Sequence, residues 1–191
     1  MSESVSQAAK SEFWFVAGTT GPWQISHQAT ICGEPLAPAS RLEFGLGADL
    51  EKQTRHDQVW TLRGVTSNTR YTQRAEVNAL QAKQQGLGRP QARCAALIPI
   101  KKSAPWWALA QDERRGILED QSKHIALGLR YLPASARHLH HCRDLGEPFD
   151  FLTWFEFAPE HAQDFDELLV ALRATPEWQF VEREVEVRVL R

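Results

Sequence analysis

The sequence predicts an α+β fold in which helices pack on one face of a sheet. Two patterns support this prediction: the second half of the chain alternates strand, helix, strand, helix, strand, and a partial set of the same kind precedes it. The chain has 191 residues, of which 42% are hydrophobic and 24% charged, so it can form a core. This order suits ferredoxin-like halves, and two such halves could form a barrel-like body.

The first half contains weaker strand and helix signals. Residues 13–16 and 23–26 are two short strand patterns separated by glycines, which predict a hairpin. Residues 33–57 are rich in Pro, Gly and charge, so we expect a connection with one short element. Residues 59–65 alternate like a half-buried strand, and residues 71–85 form a helical pattern that ends at a glycine-rich segment.

The second half has clearer periodicity. Residues 95–100 are an apolar strand pattern, and residues 112–129 predict one helix with His124 inside it or at its end. Residues 149–157 are an aromatic strand pattern, residues 165–172 an amphipathic helix, and residues 179–190 a closing strand.

Charge and composition exclude several classes of function. The net charge is -2, which gives no basic field for nucleic acid and no polybasic membrane surface. No run of residues is long and apolar enough for a transmembrane helix, and the first dozen residues lack the pattern of a signal peptide. Three cysteines without a CxxC spacing indicate a reducing compartment. We therefore expect a soluble cytoplasmic protein.

A few residues could carry chemistry. His124 could bind a metal or haem iron, although a single helical histidine is more often structural. Arg137 lies thirteen residues later and could hold a small oxyanion. The segment 138–142, HLHHC, allows a metal site, but a polar strand beside the core is the preferred interpretation. Trp106 and Trp107, directly after a lysine pair, suit the wall of a flat cofactor that carries carboxylates.

Taken together, these residues resemble the chlorite dismutase family, haem b enzymes of the dimeric α+β barrel superfamily. The resemblance runs from about Trp60 to the C-terminus. The long central block is specific, whereas each short one alone is not. The blocks are RYTQRAE, AKQQGLGRP, AALIPIKKSAPWW, SKHIALGLRYLPASARHLHHCRDLGEPFDFLTWFEF and LRATPEWQFVERE.

The resemblance implies roles for four of these residues. His124 would be the proximal ligand of the haem iron, and Arg137 would be the distal arginine. Glu177 matches the carboxylate that accepts a hydrogen bond from the proximal imidazole, and Lys102 matches the basic residue near it. A carboxylate behind a ligating histidine fixes the tautomer of the ring and raises its basicity.

The same resemblance implies further residues of the haem cavity. Trp106 and Trp107 match tryptophans that line it. Gln84, Thr153 and Phe155 match the distal side, and the alternative for them is a helix surface or a core strand.

The implied function is conversion of chlorite to chloride and dioxygen, through an oxoferryl intermediate and a trapped hypochlorite. Chlorite and small anions would be the ligands. Coproheme decarboxylase is the alternative within the superfamily, but residues 95–99 lack its tyrosine and Arg137 is present. A haem carrier and a peroxidase also stay open, and chlorite detoxification is one physiological use.

The chain resembles the compact branch of the family, which predicts a homodimer. We expect a flexible N-terminus at residues 1–10, a shortened N-terminal ferredoxin-like half at 11–100, and a C-terminal haem-binding half at 101–191.

Overall fold

The structure is a computed structural model that describes residues 12–51, 57–68, 72–83 and 86–191. In these residues eight strands close into an antiparallel barrel in the order β1-β3-β2-β8-β5-β7-β6-β4. The strands are β1 Glu12–Gly18, β2 Trp23–Cys32, β3 Arg41–Leu46, β4 Gln58–Thr66, β5 Cys94–Lys102, β6 Ser135–His141, β7 Phe151–Phe157 and β8 Val181–Leu190.

The barrel consists of two sets of four strands with the same neighbour order. In the set β1–β4 the fourth strand lies beside the first, followed by the third and the second, and the set β5–β8 repeats this order. That order is the ferredoxin-like arrangement. The two sets join where β2 pairs with β8 and where β4 pairs with β6. The predicted fold of two ferredoxin-like halves in an α+β barrel is therefore confirmed.

Helices are concentrated in the second set. There, several segments connect β5 to β6 and one helix connects β7 to β8, whereas β1 and β2 are joined by residues 19–22 alone. The N-terminal half is thus shortened, as expected. No helix in the described ranges is long and apolar enough to span a membrane. The helices are α1 Gly47–Leu50, α2 Arg74–Lys83, α3 Ala104–Ala108, α4 Gln111–Arg115, α5 His124–Arg130 and α6 Ala162–Arg173.

The predicted hairpin of the first two strands is wrong. β1 pairs with β3 and β4, and β2 pairs with β3 and β8. β3 lies between them because its Leu42 is fully buried in the barrel core, and Phe44 packs beside it. Gly21 in the connection has φ 129°, and a Cβ there would meet the Leu42 backbone at 2.8 Å. The glycine therefore serves a crossing over β3 rather than a hairpin turn.

The helix expected at residues 112–129 differs from the structure. The helix predicted at 112–129 is divided into α4, a π-helical segment Gly116–Gln121, and α5. The division between halves expected at residue 100 falls inside β5, which pairs with β7 and β8 of the second set. The division into domains stays a prediction, and the predicted N-terminus at 1–10 lies outside the described residues.

The barrel interior contains a fully buried histidine. His140 lies among Phe13, Phe15 and Phe44, with ring centroids 5.0 to 5.9 Å away. A Cβ at Gly64 would meet the His140 Cβ at 2.7 Å, so the adjacent strand needs glycine there. Burial and the charge of His138 lower the pKa of His140 to about 3.

This pKa predicts acid-dependent stability. The unfolded chain binds a proton on residue 140 at a higher pH than the folded chain does, so stability falls as pH drops from about 6 towards 3. One such group contributes roughly 1.4 kcal/mol per pH unit to the free energy of unfolding. His140→Leu should reduce the slope by about that amount in urea unfolding between pH 6 and 4. His27→Leu, at an exposed position, is the control, and equal slopes for His140→Leu and the parent would contradict the prediction.

Candidate functional site

A cavity lies between the outer face of the second sheet and the helices that cover it. It encloses about 1220 Å³ of empty space, counted out to its mouth, and its wall is mostly apolar. This apolar space is bounded by the sheet on one side and by the helices on the other.

The sheet wall is formed by neighbouring positions on β5, β6 and β7. Leu139 pairs with Thr153, which pairs in turn with Ile98, and all three line the cavity. The next pair towards α6 is Arg137 and Phe155, which also line it. Because side chains alternate along a strand, these residues share one face and His138 and His140 point into the barrel.

The helix wall presents His124 at the first position of α5. The preceding residue, Lys123, has φ 53°, in the left-handed region that a residue with a side chain rarely adopts. The Glu119 carboxylate accepts a 2.7 Å hydrogen bond from the Ile125 N–H, which satisfies the new N-terminus of the helix. The break in the predicted helix therefore places the imidazole at the start of α5.

Behind His124 lies a buried chain of charges. The His124 Nδ1 is 2.6 Å from the Glu177 Oε2, and the Lys102 Nζ donates to the Glu177 Oε1 at 2.7 Å. The Glu177 N–H donates to the Ser122 Oγ at 3.0 Å. Burial raises the pKa of Glu177, but the charges of His124 and Lys102 outweigh burial and lower the pKa to about 2. Glu177 is thus an anion that fixes the imidazole orientation and leaves Nε2 for a ligand.

Lys102 is held by its surroundings as well as by Glu177. Its Nζ lies 4.7 Å from the ring centroid of Trp106, which is buried and lines the cavity. Its backbone N–H donates to the Asp150 Oδ2 at 2.7 Å. Trp107 does not reach the described cavity wall; its Nε1 donates to the same Asp150 oxygen at 3.1 Å, and its ring stacks on Phe151. The structure therefore separates the two tryptophans that were expected to share the wall.

Arg137 faces the cavity from the sheet. Its Nη2 donates to the Asn68 backbone oxygen at 3.5 Å. Burial lowers the pKa of the Arg137 guanidinium. An anion in the cavity would offset that desolvation cost, so the arrangement favours binding of a small oxyanion.

The structure brings most of the expected residues to one site. His124, Lys102, Glu177, Trp106, Arg137, Thr153 and Phe155 all line the same cavity. Gln84 lies outside the described residues. Sequence reasoning missed Ser122, Asn68 and Asp150, whose contacts join segments far apart in the chain. Only the short polar side chains themselves could have drawn attention to them.

The segment from His138 to Cys142 forms the strand β6 and its end, as the preferred interpretation expected. The described residues contain no group of three or more histidine, cysteine or acidic side chains placed to hold a metal ion. The Cys142 thiol is buried, donates to the Phe149 carbonyl at 3.0 Å, and has a raised pKa because of that burial.

These residues fit a haem. A buried carboxylate fixes the Nδ1 of His124, an apolar wall surrounds the space, and a cation faces it from the sheet. Histidine with this type of support is a ligand typical of haem iron.

The chain is similar to known proteins of one family. The chlorite dismutase family model matches residues 46–190. The crystal structure of dimeric chlorite dismutase from Nitrobacter winogradskyi is 54% identical, with a TM-score of 0.85, and the match covers 94% of this chain and 99% of that one. Chlorite dismutase from Candidatus Nitrospira defluvii in complex with imidazole is 22% identical, with a TM-score of 0.69 over 97% of this chain and 92% of that one, which shows the shared fold.

A further relative matches over a shorter stretch. Chlorite dismutase from Ideonella dechloratans is 35% identical over 85 residues, which are 44% of this chain and only 28% of that protein. The family model, in contrast, covers well over half of the chain. This protein therefore belongs to the chlorite dismutase family.

Proposed function

We propose that this protein binds haem b and converts chlorite to chloride and dioxygen. One observation carries the proposal: a histidine supported by a buried carboxylate and an arginine line the same cavity from its two walls. Membership of the family supports it, as does the 54% identical relative from Nitrobacter winogradskyi.

His124 would bind the iron through Nε2, and Glu177 would hold the imidazole in one tautomer. Trp106, Ile98 and the other apolar wall residues would contact the macrocycle and exclude water. When bound, the haem supplies the iron-centred redox chemistry needed to break a Cl–O bond.

Arg137 would hold the anion. Its planar guanidinium can donate two N–H groups to chlorite, and then to the hypochlorite that remains after one oxygen has been removed. Holding hypochlorite in place favours its return of the second oxygen to form dioxygen, because both reactants stay within one site. Chlorine gains the electrons that the two oxygens lose, so no outside oxidant or reductant is needed. Thr153 and Phe155 would bound this anion site.

The test is oxygen release on adding chlorite to the protein loaded with haem b, measured with an oxygen electrode. Arg137→Ala should lower kcat/KM about a hundredfold, the cost of losing a donor to a developing oxyanion. It should also shorten the lifetime of the enzyme, because escaping hypochlorite bleaches haem.

Arg137→Lys is the matched variant, since it keeps the charge but loses the two-pronged geometry. We expect an intermediate lifetime for it. Full turnover and lifetime in Arg137→Ala would contradict the role of Arg137. A haem spectrum without oxygen release from the parent would overturn the proposed reaction and favour a decarboxylase, a peroxidase or a haem carrier.

We also propose that the protein acts as a homodimer. The 54% identical relative from Nitrobacter winogradskyi is a dimeric chlorite dismutase, and the match covers 99% of its chain. The cytoplasmic location stays a prediction.

A further inference from the structure

In the part of the chain that the structure describes, the seam between β4 and β6 is short and reaches the cavity. Val65 pairs with His141 and Thr66 with His140, and the Ser67 N–H then donates to the Leu139 oxygen at 2.8 Å. The next contact is made by a side chain: the Asn68 Oδ1 accepts a 2.7 Å hydrogen bond from the Leu139 N–H. Asn68 thus continues the seam by one hydrogen bond beyond the last backbone pair.

Asn68 also touches Arg137, the residue two positions before Leu139 on β6. The Arg137 Nη2 donates to the Asn68 backbone oxygen at 3.5 Å, and both residues line the cavity. A contact of this length is weak as a hydrogen bond but still favours one direction of the guanidinium. The side chain of Asn68 therefore holds the backbone of the same residue against β6. The backbone carbonyl of Asn68 then faces the guanidinium of Arg137.

We propose that Asn68 is a positioning residue that holds the Arg137 guanidinium in the anion-binding direction. The chemistry of asparagine matters here. A neutral oxygen can orient an arginine without neutralising its charge, whereas a carboxylate at this place would pair with the guanidinium and compete with a bound anion. The consequence for chlorite turnover rests on the proposed function, but the orientation of Arg137 does not.

Two substitutions separate positioning from plain structural support. Asn68→Ala removes the oxygen that binds the Leu139 N–H. Asn68→Asp keeps an oxygen for that N–H but introduces a negative charge beside Arg137. Ser67→Ala is the control: it lies in the same seam, bonds to Leu139 through its backbone, and has no place in the cavity wall.

The first measurement is the affinity of the ferric, haem-loaded protein for fluoride. Binding is monitored by the change in the visible spectrum of the haem. We expect Asn68→Ala to weaken fluoride binding about tenfold. The reason is that a guanidinium of Arg137 that is no longer oriented loses its charge-assisted hydrogen bond to the anion. Asn68→Asp should weaken it at least as much, and Ser67→Ala should leave it unchanged. The midpoint temperature of thermal unfolding should show the opposite order: Asn68→Asp should unfold closer to the parent than Asn68→Ala does.

The proposal is overturned if fluoride affinity follows thermal stability across the three variants, because Asn68 would then only hold the seam together. Unchanged fluoride affinity in Asn68→Ala would also overturn it. If Asn68→Ala folds poorly, Asn68→Asp alone decides between these outcomes, since it keeps the bond to Leu139.

The second measurement is crystallographic and needs neither haem nor chlorite. In Asn68→Ala the Arg137 guanidinium should leave its place beside residue 68, and an unmoved guanidinium would contradict the proposal.

With chlorite, added methionine should be oxidised to its sulfoxide faster by Asn68→Ala than by the parent, since hypochlorite would escape more often. If the parent releases no oxygen while the fluoride and crystallographic results hold, the proposed function fails and the positioning of Arg137 stands.

Discussion

Replacing His124 by alanine should abolish stable haem binding. His124 is held by the 2.6 Å contact to Glu177 and presents its second nitrogen to the cavity. Loss of a residue that only supports a metal ligand typically weakens metal binding about 10- to 100-fold. Removal of the ligand itself should cost more than about 100-fold, measured by transfer of haem from the variant to an excess of a haem-binding acceptor protein.

The variant leaves a space with the shape of an imidazole. Added imidazole should therefore restore part of the haem spectrum to His124→Ala, because the carboxylate of Glu177 remains to receive its N–H. His161→Ala is the control, since His161 pairs with Asp164 at the surface, away from the cavity. Haem transfer at the parent rate from His124→Ala would show that another residue binds the iron.

The fold of the second half could be predicted because its signals are local. Residues 149–157, 165–172 and 179–190 each carry a clear period, and they correspond to β7, α6 and β8. The pairing of β1 could not be predicted, because a glycine-rich connection after a strand is compatible both with a hairpin turn and with a crossing over another strand. The break between Gln121 and His124 also has no local signal. Its causes are the contacts of Glu119 with Ile125 and of Ser122 with Glu177.

The site could be anticipated only in part for the same reason. His124 and Glu177 are 53 residues apart, and nothing in the periodicity of either segment indicates that they meet. The resemblance to a family brought these residues together, where the residues alone left a histidine without a partner. Asn68 and Asp150 were missed because each acts through a backbone N–H on a distant strand, and such contacts appear only when the barrel closes.

Replacing Lys102 by methionine should lower the free energy of unfolding by about 3–5 kcal/mol, the typical cost of removing one partner of a buried ion pair. Only 3% of the Lys102 side chain and 4% of the Glu177 side chain are exposed. Methionine fills a similar volume, so the loss should come from the charge left on Glu177 rather than from a cavity. Urea unfolding of the haem-free proteins at pH 8 measures it.

The neighbouring lysine provides a matched control. Lys101 on the same strand pairs with Glu182 at 2.6 Å, but 45% and 44% of these side chains are exposed. Lys101→Met should therefore cost no more than about 1 kcal/mol. Equal losses for Lys101→Met and Lys102→Met would show that burial of the Lys102 pair has no energetic consequence.

A second change and a change of pH identify the cause. Adding Glu177→Leu to Lys102→Met should recover much of the stability, because the buried charge is gone, while haem binding falls because His124 loses its partner.

Lys102 is one of the charges that lower the pKa of Glu177. Without Lys102, burial should raise that pKa, so protonation of Glu177 should relieve the variant as the pH falls. The stability deficit of Lys102→Met should thus be larger at pH 8 than at pH 5, and a deficit independent of pH would assign the loss to packing instead.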